Sequence, residues 1–271
     1  MNKLNEKIEK AIKLIKICKP ENDIYEVAYS GGKDSDVILK LTQMAGVPYR
    51  AIYRNTTIDP PQTIEHAKAN GVEVIYPKRN FFQMIEKKGI PSRWARFCCS
   101  EFKEYKILDN VIIGIRKAES RARAERYKEP VICRIYNKKE RVNQILPILD
   151  WTDADVENFI NTYKIQCHEL YYKNGVFDVK RRLGCIGCPI MSTKKRVEDF
   201  KKYNGILKKE IKALEVYHQT HKLNDYFSNV YEKMFFCIYF NNVVEFSIWK
   251  HGLFGDVDCK KLLEINFNIE F

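Results

Sequence analysis

A glycine pair between a strand pattern and a helix pattern constrains this chain more than any other feature. Residues Ile24–Tyr29 form a short run of β-branched and aromatic residues, which is typical of a buried strand. The loop Ser30–Ser35, with the sequence SGGKDS, follows directly, and Asp36–Leu41 has the apolar spacing of a helix. Glycines let the backbone approach phosphate oxygens, and the first N–H groups of a helix point at a bound anion. The pattern therefore predicts a phosphate-binding loop.

The side chains of this loop support the same prediction. Two serine hydroxyls and the Lys33 charge would bind an anion, while Asp34 would hold Mg²⁺ or order the loop. The spacing differs from the GxxxxGK(S/T) phosphate loop, and the alternative is an ordinary Gly-Gly turn with a capped helix. The residues predicted to bind nucleotide are Ser30, Gly31, Gly32, Lys33, Asp34 and Ser35.

Strand patterns alternate with helix patterns along the first part of the chain. This alternation predicts an α/β fold, with a parallel sheet covered by helices on both faces and ligands bound beyond the carboxyl ends of the strands. Further strands are expected at 49–54, 72–76 and 109–115, and helices at 2–18, 62–69, 81–87 and 152–163.

The later part of the chain has a different character. Residues 121–139 are charged and irregular, and we expect a mobile loop there with one short strand at 131–134. Beyond Pro189 the pattern is helical, over 194–223 and 226–239. We therefore predict a nucleotide-binding domain at 1–190, which carries the metal-site cysteines, and a mainly helical extension at 191–271.

Charge and cysteine content narrow the class of protein. The 271 residues include 47 Lys and Arg against 35 Asp and Glu, so the formal charge is +12 (47 − 35), which suits polyanionic partners. We find no run long enough to span a membrane and no signal-peptide core, so we expect a cytoplasmic protein. In that compartment the nine cysteines are expected to bind metal, act in catalysis or pack in the core.

Four cysteines form two pairs with metal-ligand spacing. Cys98 and Cys99 are adjacent, and Cys185 and Cys188 form a CxxC motif. Four thiolates suit tetrahedral zinc or a 4Fe–4S cluster. Neighbouring residues are strained as ligands of one ion but can reach different irons, which favours the cluster. Zinc, or four buried thiols without metal, stays open as an alternative.

A fifth cysteine near the C-terminus is a candidate nucleophile. Cys259 is followed by Lys260 and Lys261, so we expect it to be exposed, with a pKa lowered by the two cations. The alternative is a chance surface cysteine without a role.

Several motifs, in order, resemble the phosphoadenylyl-sulfate and adenylyl-sulfate reductase family of the adenine nucleotide α-hydrolase fold. SGGKDS resembles the PP-loop of enzymes that split ATP between its α and β phosphates. The resemblance covers roughly residues 25–189, and its other motifs are Asn55–Thr57 with Pro61–Thr63, Cys98-Cys99 with Lys103, Gly114–Arg116 with Ser120 and Arg123, Leu146–Trp151, and Cys185 with Cys188. The resemblance implies a basic cradle for the anionic end of the nucleotide at Arg116, Ser120 and Arg123.

The chain also departs from the reductases. Their catalytic cysteine lies in a C-terminal ECGLH segment, whereas Cys259 is followed by Lys-Lys-Leu-Leu. Phe102 replaces an arginine, and Asn55 replaces an acid. In these respects the chain is similar to the pyrophosphatase component of DNA phosphorothioation systems and to tRNA-thiolating enzymes.

The resemblance implies an ATP pyrophosphatase that adenylates a nucleic acid and transfers sulfur to it. Such an enzyme would use ATP, Mg²⁺ and a 4Fe–4S cluster, and a sulfur-donor protein such as a cysteine desulfurase. Lys103, Arg116 and Arg123 would stabilise developing phosphate charge. One alternative is an adenylyl-sulfate reductase with Cys259 as nucleophile. The other is a non-catalytic subunit that senses nucleotide or redox state.

Overall fold

The computed structural model describes residues 3–19, 24–136, 139–252 and 257–271. The chain forms two compact units. The sheet unit comprises Met1–Asn55, Pro60–Pro77 and Ser100–Gly184, and the helical unit comprises Thr56–Asp59, Lys78–Cys99 and Cys185–Phe271. Each unit is therefore assembled from segments that are distant in sequence. The predicted boundary near residue 190 stays a prediction.

The sheet unit is built on a six-stranded sheet in the order β3-β2-β1-β4-β6-β5. All neighbouring strands are parallel except β5, which runs antiparallel to β6. The strands are β1 (Tyr25–Tyr29), β2 (Tyr49–Arg54), β3 (Glu73–Ile75), β4 (Asn110–Ile112), β5 (Val131–Tyr136) and β6 (Glu140–Ile145). The prediction of an α/β fold with a largely parallel sheet is confirmed. A short hairpin, β7 (Tyr172–Lys173) with β8 (Val176–Phe177), adds a second sheet.

The prediction of a mobile loop over 121–139 is wrong for its described residues. Helix α6 (Arg121–Arg126) occupies its start, and β5 pairs with β6 over six residues. The short strand expected at 131–134 is confirmed, and β5 extends it to Tyr136 at the sheet edge, where exposed and half-buried residues alternate. β6 was not predicted, because its pattern becomes apolar only towards Ile145. Residues 137 and 138 lie outside the described ranges.

Three helices pack together beside the sheet, and the apolar face of each is buried. α1 buries Leu4, Ile8, Ala11 and Ile15 at helical spacing, as the sequence predicts. These side chains join residues of α2, α7 and β1 in one apolar core. The helices of this unit are α1 (Lys3–Ile17), α2 (Lys33–Ala45), α3 (Gln62–Ala69), α6 and α7 (Asp153–Thr162), while α5 (Phe97–Phe102) begins in the helical unit and ends in the sheet unit.

The helical unit confirms the expected helical C-terminal segment and corrects its bounds. Its helices are α4 (Phe81–Lys88), α8 (Thr193–Lys202), α9 (Asn204–Thr220), α10 (Val230–Tyr239), α11 (Val243–Lys250) and α12 (Cys259–Phe267). The helix predicted over 194–223 is interrupted at Tyr203. The next residue, Asn204, donates its side-chain N–H to the Phe267 carbonyl (3.3 Å), and Gly205 is a weak helix former. Across the described ranges, no helix is both long and apolar enough to cross a bilayer.

Candidate nucleotide loop and cysteine site

The predicted phosphate loop lies where β1 ends and α2 begins. Gly32 is the N-cap of α2, with φ −83° and ψ 153°, and it offers no side-chain cap. The N–H groups of Ser35 and Asp36 both donate to the Gly32 carbonyl, at 2.8 and 3.1 Å. The N–H groups of Lys33 and Asp34, at the very start of the helix, are not used by the helix itself. This end of α2 can therefore bind an anion.

Gly31 is required by both backbone conformation and space. Its φ of +73° lies in the left-handed region, and an added Cβ would lie 2.7 Å from Cγ2 of Thr63 on α3. At Gly32 an added Cβ would lie 3.3 Å from both Ser30 Oγ and Tyr171 Oη. Helix α3 and Tyr171 thus hold the loop against the end of α2, and Gly31 is the less replaceable of the two glycines.

The two serines order the loop. Ser35 Oγ donates to the Gly32 carbonyl (2.6 Å), and Ser30 Oγ lies 3.4 Å from Ser35 Oγ. The Gly32 N–H donates to Ser30 Oγ at 3.4 Å. Both hydroxyls therefore lie beside the backbone donors that would contact a phosphate.

Arg116 links the end of β4 to the loop. Its side chain is 1% exposed, its Nε lies 2.7 Å from Asp34 Oδ1, and its Nη2 lies 2.9 Å from Asp153 Oδ1. Burial lowers the pKa of Arg116, but Asp34 and Asp153 more than offset it, so the net pKa is raised. Lys33 Nζ lies 3.2 Å from the other oxygen of Asp34. Gly114 makes this approach possible, because an added Cβ would lie 2.8 Å from the Asp34 carbonyl oxygen.

A cavity of about 100 Å³ opens beside these residues in the sheet unit. Lys180 and Arg182, both exposed, contribute charge that sequence reasoning missed. They belong to the basic run Lys180-Arg181-Arg182, which lies far along the chain from the loop. The lining residues are Lys33, Arg116, Ala118, Glu119, Asp153, Val179, Lys180 and Arg182. A second cavity of about 590 Å³, in the helical unit, contains none of the predicted site residues.

Ser120 and Arg123 lie close to the cavity of about 100 Å³, because they neighbour or contact Glu119, which lines it. Ser120 caps α6 by accepting a hydrogen bond from the Arg123 N–H (3.2 Å). The Arg123 guanidinium pairs with the Glu119 carboxylate, and Arg182 Nη2 donates to the Glu119 carbonyl (2.7 Å). Lys103, by contrast, is exposed just after α5 and is not among the residues that line the cavity.

A buried acid lies behind the loop. Asp36, 3% exposed, accepts hydrogen bonds from the Tyr29 hydroxyl and from His66 Nε2, the latter at 3.1 Å. Burial raises the pKa of Asp36, while the hydrogen bonds from His66 and Tyr29 lower it in part. Asp36 therefore ties α2 to β1 and α3 directly beneath the phosphate loop, a role that the sequence pattern did not indicate.

The four metal-site cysteines all belong to the helical unit and are all partly buried. A hydrogen bond with Cys99 raises the pKa of Cys98, and burial and the negative charges of Cys99, Cys185 and Cys188 raise it further. The Thr56 hydroxyl also lies 3.6 Å from Cys185 Sγ and donates to it. The structure therefore brings the two predicted cysteine pairs within electrostatic range of each other.

A tight turn presents the second cysteine pair. Gly187 has φ +67°, and an added Cβ would lie 2.2 Å from Cζ of Phe200. The Ile186 N–H donates to the Ile58 carbonyl (2.8 Å), and the Cys188 N–H donates to the Cys185 carbonyl (3.3 Å). Within the described residues, no three His, Cys, Asp or Glu side chains converge on a point suited to a single metal ion.

The expected exposure and lowered pKa of Cys259 are wrong. Cys259 is 2% exposed at the start of α12. Burial, followed by the charge of Glu232, raises its pKa to about 12. The adjacent Lys260 does not lower the pKa of the Cys259 thiol. Its Nζ donates to the Phe271 carbonyl (3.2 Å) and lies over the Tyr231 ring instead. The role of Cys259 as a nucleophile stays a prediction, but the exposure and lowered pKa on which it was based are not observed.

The family of the chain follows from comparison with known proteins. A model of the phosphoadenosine phosphosulfate reductase domain matches residues 25–191, the region that contains the loop, Arg116 and all four metal-site cysteines. The chain belongs to the phosphoadenosine phosphosulfate reductase family. This match confirms the resemblance to the reductase family that the motifs indicated.

Relatives and solved structures add limited information. Two uncharacterized proteins of Methanocaldococcus jannaschii, MJ0066 and MJ0973, are 30% and 32% identical over 73% and 68% of this chain. The chain spans less than half of each, 43% and 47% of their lengths.

Two solved structures show weaker likeness. Candida glabrata FMN adenylyltransferase, in complex with FMN and the ATP analogue AMPCPP, has a TM-score of 0.42 and 15% identity, over 62% of this chain and 59% of that chain. NMN synthetase from Francisella tularensis has a TM-score of 0.42 and 12% identity, over 83% and 98%. These scores are too low to establish a shared fold.

Proposed function

We propose that the chain is an ATP-using enzyme that activates an oxygen of a nucleic acid by adenylation and then directs sulfur to the carbon or phosphorus atom that carries this oxygen. The observation that carries this proposal is the loop: Gly31 and Gly32 bring backbone donors at the start of α2 next to Lys33, Arg116 and a cationic cavity. Family membership supports a nucleotide as the anion bound there.

The proposed reaction has two displacements. The acceptor oxygen attacks the α-phosphorus of ATP, the bond to the β-phosphate oxygen breaks, and pyrophosphate leaves with that electron pair. A donor protein then supplies sulfur at the sulfide oxidation level. The sulfur attacks the carbon or phosphorus atom that carries the adenylated oxygen, the bond to that oxygen breaks, and AMP leaves with the oxygen and the electron pair. The loop donors and the exposed Lys180 and Arg182 would stabilise phosphate charge. Arg116 would act through its charge, since Asp34 and Asp153 already fix its position.

We further propose that Cys98, Cys99, Cys185 and Cys188 hold a 4Fe–4S cluster. An all-thiol donor set suits an iron–sulfur cluster or zinc. The four ligands of an iron–sulfur cube lie further apart than the four ligands of one ion. The four cysteines interact electrostatically, but among the described residues they do not form a single-ion site, and this arrangement is consistent with a cube. Bound there, the cluster would join the two cysteine segments and could carry one electron.

An exposed aromatic side chain supports a nucleic acid as acceptor. Trp94 is 86% exposed and lies between Arg93 and Arg96. A turn holds it outward: the Trp94 and Ala95 N–H groups donate to Ser92 Oγ at 3.3 and 3.1 Å. Single-stranded nucleic acids bind such surfaces by stacking a base on the ring and pairing phosphates with cations.

Pyrophosphate release tests the proposed reaction. We expect ATP to yield pyrophosphate only when Mg²⁺ and a single-stranded DNA or tRNA acceptor are present, and free AMP to follow only when a sulfide source is added. Gly31→Ala should abolish the release of pyrophosphate. The matched control is Gly71→Ala, which has the same left-handed backbone (φ +69°) but open space around it, away from the loop. Pyrophosphate release that is unchanged in Gly31→Ala, or absent with every acceptor, would contradict the proposal.

Metal analysis tests the cluster. Anaerobically purified protein should be brown, with about four irons and four sulfides per chain, and Cys185→Ser or Cys188→Ser should remove them. Stoichiometric zinc without acid-labile sulfide would contradict the cluster.

Family membership is also consistent with an alternative function, the reduction of adenylyl sulfate. That reaction needs a thiolate that attacks sulfur. Burial raises the pKa of Cys259 to about 12, which disfavours the thiolate at neutral pH, and the side chain is 2% exposed. The structure therefore favours adenylation over reduction, and a role as a non-catalytic sensing subunit would require that no turnover is found.

A further inference from the structure

Arg196 on α8 is a buried cation without a salt-bridge partner among the described residues. Its side chain lies in the helical unit, eight residues beyond Cys188, and the residue is 4% exposed. Nη1 donates to the Cys237 carbonyl, whereas Nε and Nη2 have no hydrogen-bond partner among the described residues. A guanidinium cannot relieve this situation by losing its proton at physiological pH. Burial of an unpaired charge with two unused donors is costly, so the fold must gain something from it.

The surroundings of Arg196 point to the cysteine site. The groups that interact electrostatically with Arg196 are the Cys237 thiol, Arg93 and Cys188. Asp199, three residues along the same helix, pairs with Lys195 (2.8 Å) and accepts from the Gly187 N–H (3.4 Å). The anion that would complete the environment of Arg196 is therefore a metal–thiolate group on the side of Cys188.

We propose that Arg196 is the built-in counter-charge and N–H donor of the metal group bound by the four cysteines. This inference rests on the cluster proposed above. Four thiolates around a cluster core carry a net negative charge, and reduction adds one more negative charge. A buried guanidinium would stabilise both states, and the reduced state more. Arg196 is thus a positioning residue that holds the cluster in the protein and raises its reduction potential.

Three variants test this role in the full chain. Arg196→Met keeps the length of the side chain and removes charge and donors, whereas Arg196→Lys keeps the charge and loses the planar fork. Lys194→Gln is the matched control, since Lys194 is an exposed cation on the same helix, α8. Solvent screens a surface charge, so its removal should have little effect.

We expect an anaerobic redox titration to give a more negative cluster potential in Arg196→Met, a smaller shift in Arg196→Lys, and no shift in Lys194→Gln. A chelator should remove iron several-fold faster from Arg196→Met than from wild type. Without the cluster, Arg196→Met should be no less stable to urea than wild type, since an unpaired buried charge has been removed. With the cluster, it should be less stable.

The effect of Arg196→Met on stability should therefore differ with and without the cluster, and this difference separates the proposed role from a purely structural one. If Arg196→Met loses equal stability with and without the cluster, and its potential is unchanged, Arg196 only supports the Cys237 carbonyl and the inference is wrong. If wild type itself takes up no iron and sulfide, the cluster proposal fails instead. The two failures are distinguishable, because in the first case wild type and variant both load.

Discussion

The most informative single substitution outside the phosphate loop is Gly187→Ala, in the turn that carries Cys185 and Cys188. The backbone at Gly187 has φ +67°, which costs a non-glycine residue about 1–2 kcal/mol. The new Cβ would also lie 2.2 Å from Cζ of Phe200, a buried ring, and such overpacking costs about 1–3 kcal/mol. The two terms together predict a loss of about 2–5 kcal/mol in the free energy of unfolding.

A small set of variants separates these two terms. Phe200→Leu shortens the obstructing ring, so Gly187→Ala in that background should cost only the backbone term, about 1–2 kcal/mol. Gly175→Ala provides the backbone term alone, because Gly175 has φ +78° with open space around it. Urea unfolding followed by circular dichroism measures the stability of wild type and of the four variants, and iron content after anaerobic purification reports whether the cysteine turn keeps its shape.

Two results would refute this reasoning. A cost for Gly187→Ala no larger than that for Gly175→Ala would show that Phe200 moves away freely. An equal cost in the wild-type and Phe200→Leu backgrounds would show that the ring does not contribute.

Three further predictions concern other residues. Gly31→Ala should abolish ATP binding in calorimetry, since the side chain would meet Thr63 Cγ2 at 2.7 Å; unchanged affinity would remove the loop from the site. Trp94→Ala should weaken binding of single-stranded DNA by about 1–3 kcal/mol in a titration, whereas Tyr226→Ala, also exposed, should not; equal affinities would exclude stacking on Trp94. Iodoacetamide at neutral pH should label exposed Cys133 in the folded protein but not Cys259, whose pKa of about 12 leaves little thiolate; labelling of Cys259 would contradict its burial.

Local chemistry explains which elements could be predicted from the sequence. The bounds of β2 and α3 agree with the prediction to the residue, because a β-branched and aromatic run fixes the one and a Pro-Pro start with an Asn-Gly stop fixes the other. The phosphate loop was predictable for the same reason: Gly31 and Gly32 are required by backbone geometry within a few residues. The contact with Thr63 prevents a larger residue at Gly31, but Thr63 is distant in sequence, so the sequence did not predict this contact.

The wrong or missing predictions concern features that depend on contacts between residues distant in sequence. Exposure of Cys259 was inferred from neighbouring lysines, but burial is decided by how α12 packs in the helical unit, which the adjacent sequence does not encode. β6 gains its identity by pairing with β4 on one side and β5 on the other. Lys180 joins the cavity from a segment about 150 residues beyond the loop, a distance that no spacing rule covers.

Charge at the nucleotide cavity shows why the proposed ATP would need a metal ion. Five cations line or adjoin the cavity, against three carboxylates, so the local sum is +2 (5 − 3). The cations are Lys33, Arg116, Arg123, Lys180 and Arg182, and the carboxylates are Glu119, Asp153 and the paired Asp34. ATP brings about four negative charges, and these side chains alone would leave about two uncompensated. Because Asp34 is already held by Arg116 and Lys33, it orders the loop, and its position does not require it to be a metal ligand. We infer that the nucleotide enters with Mg²⁺ bound to its phosphates, so that the protein supplies donors and orientation while the ion supplies the missing positive charge.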